Sequence, residues 1–324
     1  MKVQDARRAL LATLLLWPAA GAWAQAAWPE RQITLVVPFG PGGIADLTAR
    51  TVAQAMSATL KVPIVVDNKP SAGSIVGSAA VAQAAPDGYT LLLMSNANAV
   101  SASLFRKLPF DVQKDFAPVG MLGVFDLALF VGADSKLKSV RELLAAAKAR
   151  PGKLTIGTIA VGSTQHLSAE LFKWRTGIDA LIVPYKSSPA VLTALRSGEI
   201  DAAFEILGPM LPQLQAKVVR ALAVTSDRRF ATLPEVPTMR EAGVPDYEVA
   251  SWNALAAPAK TPPAVIDRLN AAANDALRNP AVQDKLLSLG VRAQGGTPAQ
   301  LRTLLAAEIR HWGEVIRAAK IEPE

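Results

Sequence analysis

No cysteine occurs among the 324 residues, which removes disulfides, thiolate nucleophiles, zinc knuckles and iron–sulfur ligation together. Histidine is nearly as scarce. His166 and His311 are the only two, and neither has a partner at metal-ligand spacing, so the chain reads as holding neither metal nor cofactor. Charge is thin as well: 19 % of residues are charged, with 34 basic against 27 acidic side chains and a net charge of +7. The basic residues are scattered along helices without an accompanying aromatic stripe, which excludes a nucleic-acid partner, whereas a mild positive field suits small anions. No segment reaches about 18 uninterrupted apolar residues, so a spanning helix is not expected either. What is present is hydrophobic: 51 % of the chain, enough for roughly two domains that each bury a core.

The N-terminus reads as a targeting segment. Lys2, Arg7 and Arg8 form a basic start, Ala9 to Trp17 an apolar stretch, and Ala22-Trp23-Ala24 a small-x-small cleavage site. Cleavage is expected after Ala24, which makes residues 1–24 a signal peptide and the product a periplasmic protein. Losing Lys2, Arg7, Arg8 and Asp5 lowers the formal charge from +7 to +5. Without a cysteine at the cleavage point there is no lipid anchor, and Arg7-Arg8 leaves Sec and twin-arginine export both open.

Beyond the leader, short β-branched runs alternate with helical stretches, the pattern of an α/β fold with mostly parallel strands. Strands are expected at Ile33–Val37, Pro63–Asp67 and Thr90–Met94, with helices at Ala45–Leu60 and Ile75–Ala84. A strand at Asp126–Val131 carries the chain into a second block. That block has strands at Leu154–Gly157, Leu181–Val183, Ala202–Glu205 and Ala221–Thr225, and helices at Val140–Ala149, Gln165–Trp174 and Ala190–Arg196. Tyr247–Ala256 reads as a strand returning to the first block, followed by amphipathic helices carrying Ile266, Leu269 and Leu277 on one face and Leu301, Leu305, Ile309, Trp312 and Ile316 on another. Ser139 with Glu142, and Thr297 with Gln300, have the spacing of capping boxes. Two chain crossings between two α/β domains imply a hinge with a cleft between them.

Gly40-Pro41-Gly42-Gly43-Ile44-Ala45 fits G-x-G-x-x-A between a strand and a helix, and Asp67 ends the next strand 22 residues after Ala45. That is the spacing of a dinucleotide fingerprint. Against it, Pro38-Phe39 lengthens the turn, and an exported protein works where nicotinamide cofactors are not supplied. Bare N–H groups at a helix N-terminus bind any small anion, so the same turn reads equally as a carboxylate cradle or as a tight turn needing positive φ. Asp46, in the first helical turn, reads as a cap or a dipole partner. Gly157 to Thr164 repeats the arrangement in the second block, with Ser163 or Thr164 as N-cap. Two such N-termini facing each other would clamp one or two carboxylates. Ser163 and His166 lack a G-x-S-x-G elbow and read as capping, and no carboxylate pair stands out as an acid/base couple.

Several blocks of this chain resemble, in order, the periplasmic substrate-binding receptors of tripartite tricarboxylate transporters, the Bug receptors. They are ITLVVPFGPGGIAD (33–46), APDGYTLLL (85–93), GSTQHL (162–167), VPYK (183–186), RALAVTS (220–226), LPEVPTMREAG (233–243) and Ser251-Trp252. The resemblance implies a type II periplasmic binding protein: two α/β domains, 25–124 with 248–324 and 125–247, joined by a hinge around a ligand cleft. It implies no enzymatic activity, capture of a small organic acid, delivery to the membrane permease subunits, and a monomer. The implied substrate-binding residues are Phe39, Gly40, Pro41, Gly42, Gly43, Asp46, Ser74, Ile75, Ser95, Asn96, Ile159, Val161, Gly162, Ser163, Thr164, Glu205 and Ile206. Ile75, Ile159, Val161 and Ile206 are more apolar than the family pattern, and Glu205 stands where Asp is commoner. These departures disfavour a citrate-like ligand and favour a mono- or dicarboxylate with an apolar or aromatic body. An exported oxidoreductase with a dinucleotide at Gly40–Ala45, and a receptor passing its signal to a sensor protein, are the alternatives.

Overall fold

Ile33–Val37 (β1) is buried at every position except the half-buried Thr34, as expected for a strand covered on both faces. It lies parallel to Ile64–Asn68 (β2) and Thr90–Ser95 (β3), with Ile33 opposite Ile64 and Thr34 opposite Thr90. Ile44–Leu60 (α1) buries Ala49, Val52, Ala53, Met56 and Leu60 along one stripe and stops at Lys61, which takes the left-handed conformation at φ 60°. Ile75–Ala82 (α2) and Asn96–Leu104 (α3) follow β2 and β3. The computed structural model describes residues 28–323, and the chain from Arg31 onward forms one unit. The expected leader and its cleavage point after Ala24 lie outside the described residues.

Phe116–Gly132 (β4) is a strand of 17 residues, not the six expected from Asp126. It runs through Pro118 and Gly120 by register shifts at Pro118/Gly120 and Met121/Gly123, the bulges that such residues require inside a strand. From Phe116 to Asp126 it pairs antiparallel with Ala250–Pro258 (β9), and Val291–Ala293 (β10) pairs with it at Gly123–Phe125. From Leu127 onward it changes partners, to Ala202–Ile206 (β7) and Val219–Val224 (β8). Leu154–Ile159 (β5) lies parallel to β7 and to Ala180–Tyr185 (β6). The path is β2-β1-β3-β9-β4-β7-β5-β6, with β8 and β10 both on β4. Thr225 ties the two crossing segments: its Oγ1 accepts from Leu127 N (3.2 Å) and lies 2.5 Å from Val249 O.

Helices Val140–Ala149 (α4), Thr164–Thr176 (α5) and Ser188–Ser197 (α6) fall where expected to within two residues at each end. Leu207–Gln215 (α7) and α3 were not expected. Ser139 Oγ caps Glu142 N, but the Glu142 carboxylate accepts from Lys138 N at 2.6 Å, so the expected reciprocal box is half formed. Pro263–Arg278 (α8), Pro280–Ser288 (α9) and Pro298–Ala318 (α10) close the chain, and the Thr297/Gln300 box is complete in both directions. Trp312, 1 % exposed on α10, donates from Nε1 to Asn96 Oδ1 and Glu308 Oε2, each at 2.8 Å, which fastens α10 to the start of α3.

Candidate functional site

Each of β1, β2, β3, β5, β6 and β7 ends at a short turn that opens a helix, and in open α/β sheets ligands bind at such carboxyl ends. All seventeen candidate residues lie at five of these junctions, on the last residues of the strand, on the turn or on the helix start behind it. The first, Phe39 to Gly43, leaves Gly40 to Gly43 exposed and Phe39 half-buried. Gly42 sits at φ +82°, whereas Gly43, the N-cap of α1, has an ordinary extended backbone at φ −78°, ψ 169°. A side chain on Gly40 or Gly42 would project into open space, and one on Gly43 would meet only Gly40 O, at 3.8 Å. The first intrahelical bond is Leu47 N to Gly43 O, so the N–H groups of residues 44–46 have no helical acceptor.

Asp46 is a strut of this loop. Its carboxylate accepts from Gly42 N (2.9 Å), Arg50 Nε (3.0 Å) and Asn68 Nδ2 (2.9 Å), and Asn68 also donates to Phe39 O. Burial alone would raise its pKa, but the bonds from Arg50, Gly42 and Asn68 outweigh burial and hold it below the usual carboxylate range. Gly42 N–H is therefore committed to Asp46, whereas the first-turn N–H groups of α1 have no intrahelical acceptor. Asn68 has no motif of its own, and only its place after a β-branched run marks it.

At the second turn, Ser74 adopts a left-handed conformation (φ 60°), is 1 % exposed, and its Oγ has no partner. Ile75 behind it is half-buried against the larger core cluster, as is Ile206. At the third, Ser95 and Asn98 form a capping box at the start of α3. Asn96 Nδ2 donates to Thr164 Oγ1 at 3.0 Å, and Thr164 reaches Ser251 on β9. This polar chain joins the turn after β3 to the turn after β5.

In that fourth turn Ile159 packs on the second core cluster, Val161 is 45 % exposed, and Gly162 sits at φ +79° with its Cα face against Leu104. Ser163 Oγ caps α5 by accepting from His166 N at 3.1 Å, as expected of a cap. The imidazole is buried, and its pKa falls to about 4, first through burial and then through Lys173, so it is neutral at pH 7. At the fifth, Glu205 is fully buried and its Oε2 accepts from Gln165 Nε2 (3.2 Å), Ser188 Oγ (2.9 Å) and Ile206 N (3.2 Å). Burial pushes its pKa up despite these three bonds. Gln165 and Ser188 were not among the expected residues, and each is visible in sequence only as the first or second residue of a helix.

An open groove of about 1520 Å³ lies elsewhere, lined in part by Val140, Leu211, Leu214, Leu233, Val236 and Leu287 and by no candidate residue. Among the described residues no three His, Asp or Glu side chains gather as a metal site, and no helix is long and apolar enough to cross a membrane.

Two groups of α/β strands sharing one long strand, with helix N-termini at their carboxyl ends, some bare and some capped, and a capping serine where a nucleophile would sit, have the architecture of a solute-binding protein. The chain belongs to the tripartite tricarboxylate transporter receptor family, whose model matches residues 48–321. It is 39 % identical over 292 residues to protein BugT of Bordetella pertussis, covering 90 % of each chain. Among solved structures it is similar to an R. palustris protein with adipate (TM-score 0.81, 36 % identity, 92 % of this chain and 100 % of that one). It is also similar to MatC of Rhodopseudomonas palustris with bound malate (TM-score 0.78, 32 % identity, 89 % and 100 %). The family consists of periplasmic solute-binding receptors, not enzymes, so the dinucleotide reading of Gly40–Ala45 falls with this membership.

Proposed function

We infer that the mature protein, beginning at Gln25 after export, captures a small organic acid in the periplasm and hands it to the membrane permease subunits of a tripartite transporter. The lobes are 25–124 with 248–324, and 125–247. The switch of β4 from β9 to β7 and β8 between Asp126 and Leu127 supports that boundary. The observation that carries the reading is the Asn96–Thr164 bond, which holds the first-lobe turn against the second-lobe turn, each of them at a helix N-terminus. A carboxylate between such ends meets oriented N–H donors and two favourable dipoles. A ligand touching both lobes favours their closure by its differential affinity for the closed state.

The ligand is a mono- or dicarboxylate with an apolar or aromatic body. Supporting this, neither glycine turn carries an arginine, and Phe39, Ile159 and Val161 offer apolar surface beside the polar turns. Thermal unfolding against adipate, malate, benzoate and citrate tests the class, since a ligand at 100 times its Kd adds about 2.7 kcal/mol. Adipate or benzoate should shift the midpoint more than citrate does. An equal or larger shift with citrate refutes the apolar-body reading, and no shift with any acid refutes the capture reading.

A further inference from the structure

The Glu205 carboxyl lies where the N-terminal ends of three helices meet. It is held by Gln165 at the second position of α5, by Ser188 at the first position of α6 and by the N-cap amide of α7, Ile206 N. The three bonds are distributed unevenly. All the donors address Oε2, while Oε1 is buried with no partner. An ionised carboxylate in a buried site draws donors to both oxygens, since each carries half the charge. A neutral acid behaves differently, because its carbonyl oxygen accepts and its hydroxyl must donate. The arrangement around Glu205 is that of an acid whose carbonyl oxygen is Oε2 and whose hydroxyl, on Oε1, awaits an acceptor.

No positive charge compensates the group. The titratable side chains on the elements packed around it are His166, Glu170, Lys173 and Arg175 on α5, Tyr185 on β6 with Lys186 beyond it, Arg196 on α6 and Asp126 on β4. None is bonded or ion-paired to Glu205, and none adds a charge to its upward shift, whose first cause is burial. β5 and α7 bring no titratable group, and Glu205 is the only one on β7. Three positive helix ends are then left unneutralised by the protein itself.

We propose that Glu205 is a specificity-determining hydrogen-bond donor: its neutral carboxyl gives the Oε1 proton to a carboxylate oxygen of the bound acid, which supplies the negative charge that the three helix ends lack. This rests on the capture reading above and deepens it. Two carboxyls at hydrogen-bond distance share a site for one proton, so ligand binding favours the protonated form of Glu205, and ionising Glu205 expels the ligand. Affinity is therefore flat at acidic pH and falls by up to about tenfold per pH unit once Glu205 ionises.

The test compares the full wild-type protein with Glu205→Gln, whose amide accepts through its oxygen and donates through its nitrogen as the neutral acid does. Infrared difference spectra without ligand should show a protonated-carboxyl C=O band at neutral pH that vanishes in E205Q. Calorimetry with adipate over roughly pH 5 to 9 should show the bend in the wild type and a flat affinity for E205Q, within a few-fold of the wild-type value at acidic pH. Absence of the carboxyl band overturns the proposal whether or not any acid binds. Loss of binding in E205Q with a flat wild-type profile also overturns it, because affinity for the acid then does not follow the proton on Glu205. If the band is present but no acid binds, the capture reading fails, and Glu205 is left as a structural acid.

Discussion

Gly42 and Gly43 are adjacent, yet the backbone makes them different experiments. Gly42 at φ +82° occupies the left-handed region, where a side chain costs about 1–2 kcal/mol before it touches anything, and more for a β-branched one. Gly43 at φ −78°, ψ 169° has no such cost, and its added Cβ meets only Gly40 O at 3.8 Å. Gly43→Val should therefore lose no more than about 1 kcal/mol, the cost of an apolar residue at an N-cap, while setting an isopropyl group at the mouth of α1. One helix-end interaction with a partly buried anion is worth up to about 2 kcal/mol, so excluding the ligand from those N–H groups weakens binding by up to about thirtyfold. Gly42→Val should lose a similar affinity and stability besides. Calorimetry with adipate, alongside urea unfolding of both variants, reads the two effects separately. Unchanged affinity in a stable Gly43→Val protein would refute the placement of the α1 N-terminus at the ligand.

Asp46→Asn sets an amide N–H₂ against donors it previously accepted from. It should cost about 1–3 kcal/mol in urea unfolding and loosen the Phe39–Gly43 turn through Asn68. Because the folded pKa of Asp46 lies below its ordinary 3.8, its contribution is complete above that value and is lost as pH falls through the folded value, so wild type and Asp46→Asn converge in stability in acid. Glu205 has the opposite sign. The folded state keeps its proton where the unfolded chain has released it, so wild-type stability declines as pH rises from about 4.5 toward the folded value, and E205Q should show a flatter profile across that window in pH-resolved thermal melts. Gly162→Ala drives a Cβ into Leu104 from a backbone at φ +79° and should push the turn after β5 away from α3, read as an increase in radius of gyration by solution scattering. Intact-mass measurement of periplasmic protein should place the N-terminus at Gln25; a retained leader refutes the cleavage site.

Much of the architecture is readable from residue order, because parallel strands buried on both faces are written as continuous β-branched runs such as Ile33–Val37. The Ser163 cap is equally visible, since serine three residues before His166 has few other uses at a helix start. The failures have physical causes. α3 begins Ser95-Asn96-Ala97-Asn98, where the reciprocal cap is an asparagine in place of the usual Glu or Gln, and its polar start hides the helix. α7 contains Pro209 and Pro212, which count against a helix in any local reading but sit here in a helix of only nine residues. The full extent of β4 is hidden because Pro118 and Gly120 break strand patterns unless bulges absorb them. At the site, the turns after β1 and β5 are legible from glycine and serine, whereas the surroundings of Glu205 depend on Gln165 and Ser188, 40 and 17 residues away along the chain. The bond from Gly42 N to Asp46, four residues on, is not announced by the glycine pattern either, because it depends on the conformation of the turn.

The sharing of β4 bears on how the chain is made. β3 acquires its neighbour β9 from residues 250–258, so Leu92 waits for Ala256 until more than one hundred and fifty further residues have been made. Over that interval the edge of β3 offers unpaired amides beside Leu91, Leu92 and Leu93, the kind of edge that recruits strands from other molecules. The strands between Leu127 and Val224, by contrast, pair with one another, and Thr225 adds the tether to Val249. The middle of the polypeptide therefore completes its strand pairing from a shorter stretch of chain than its beginning does.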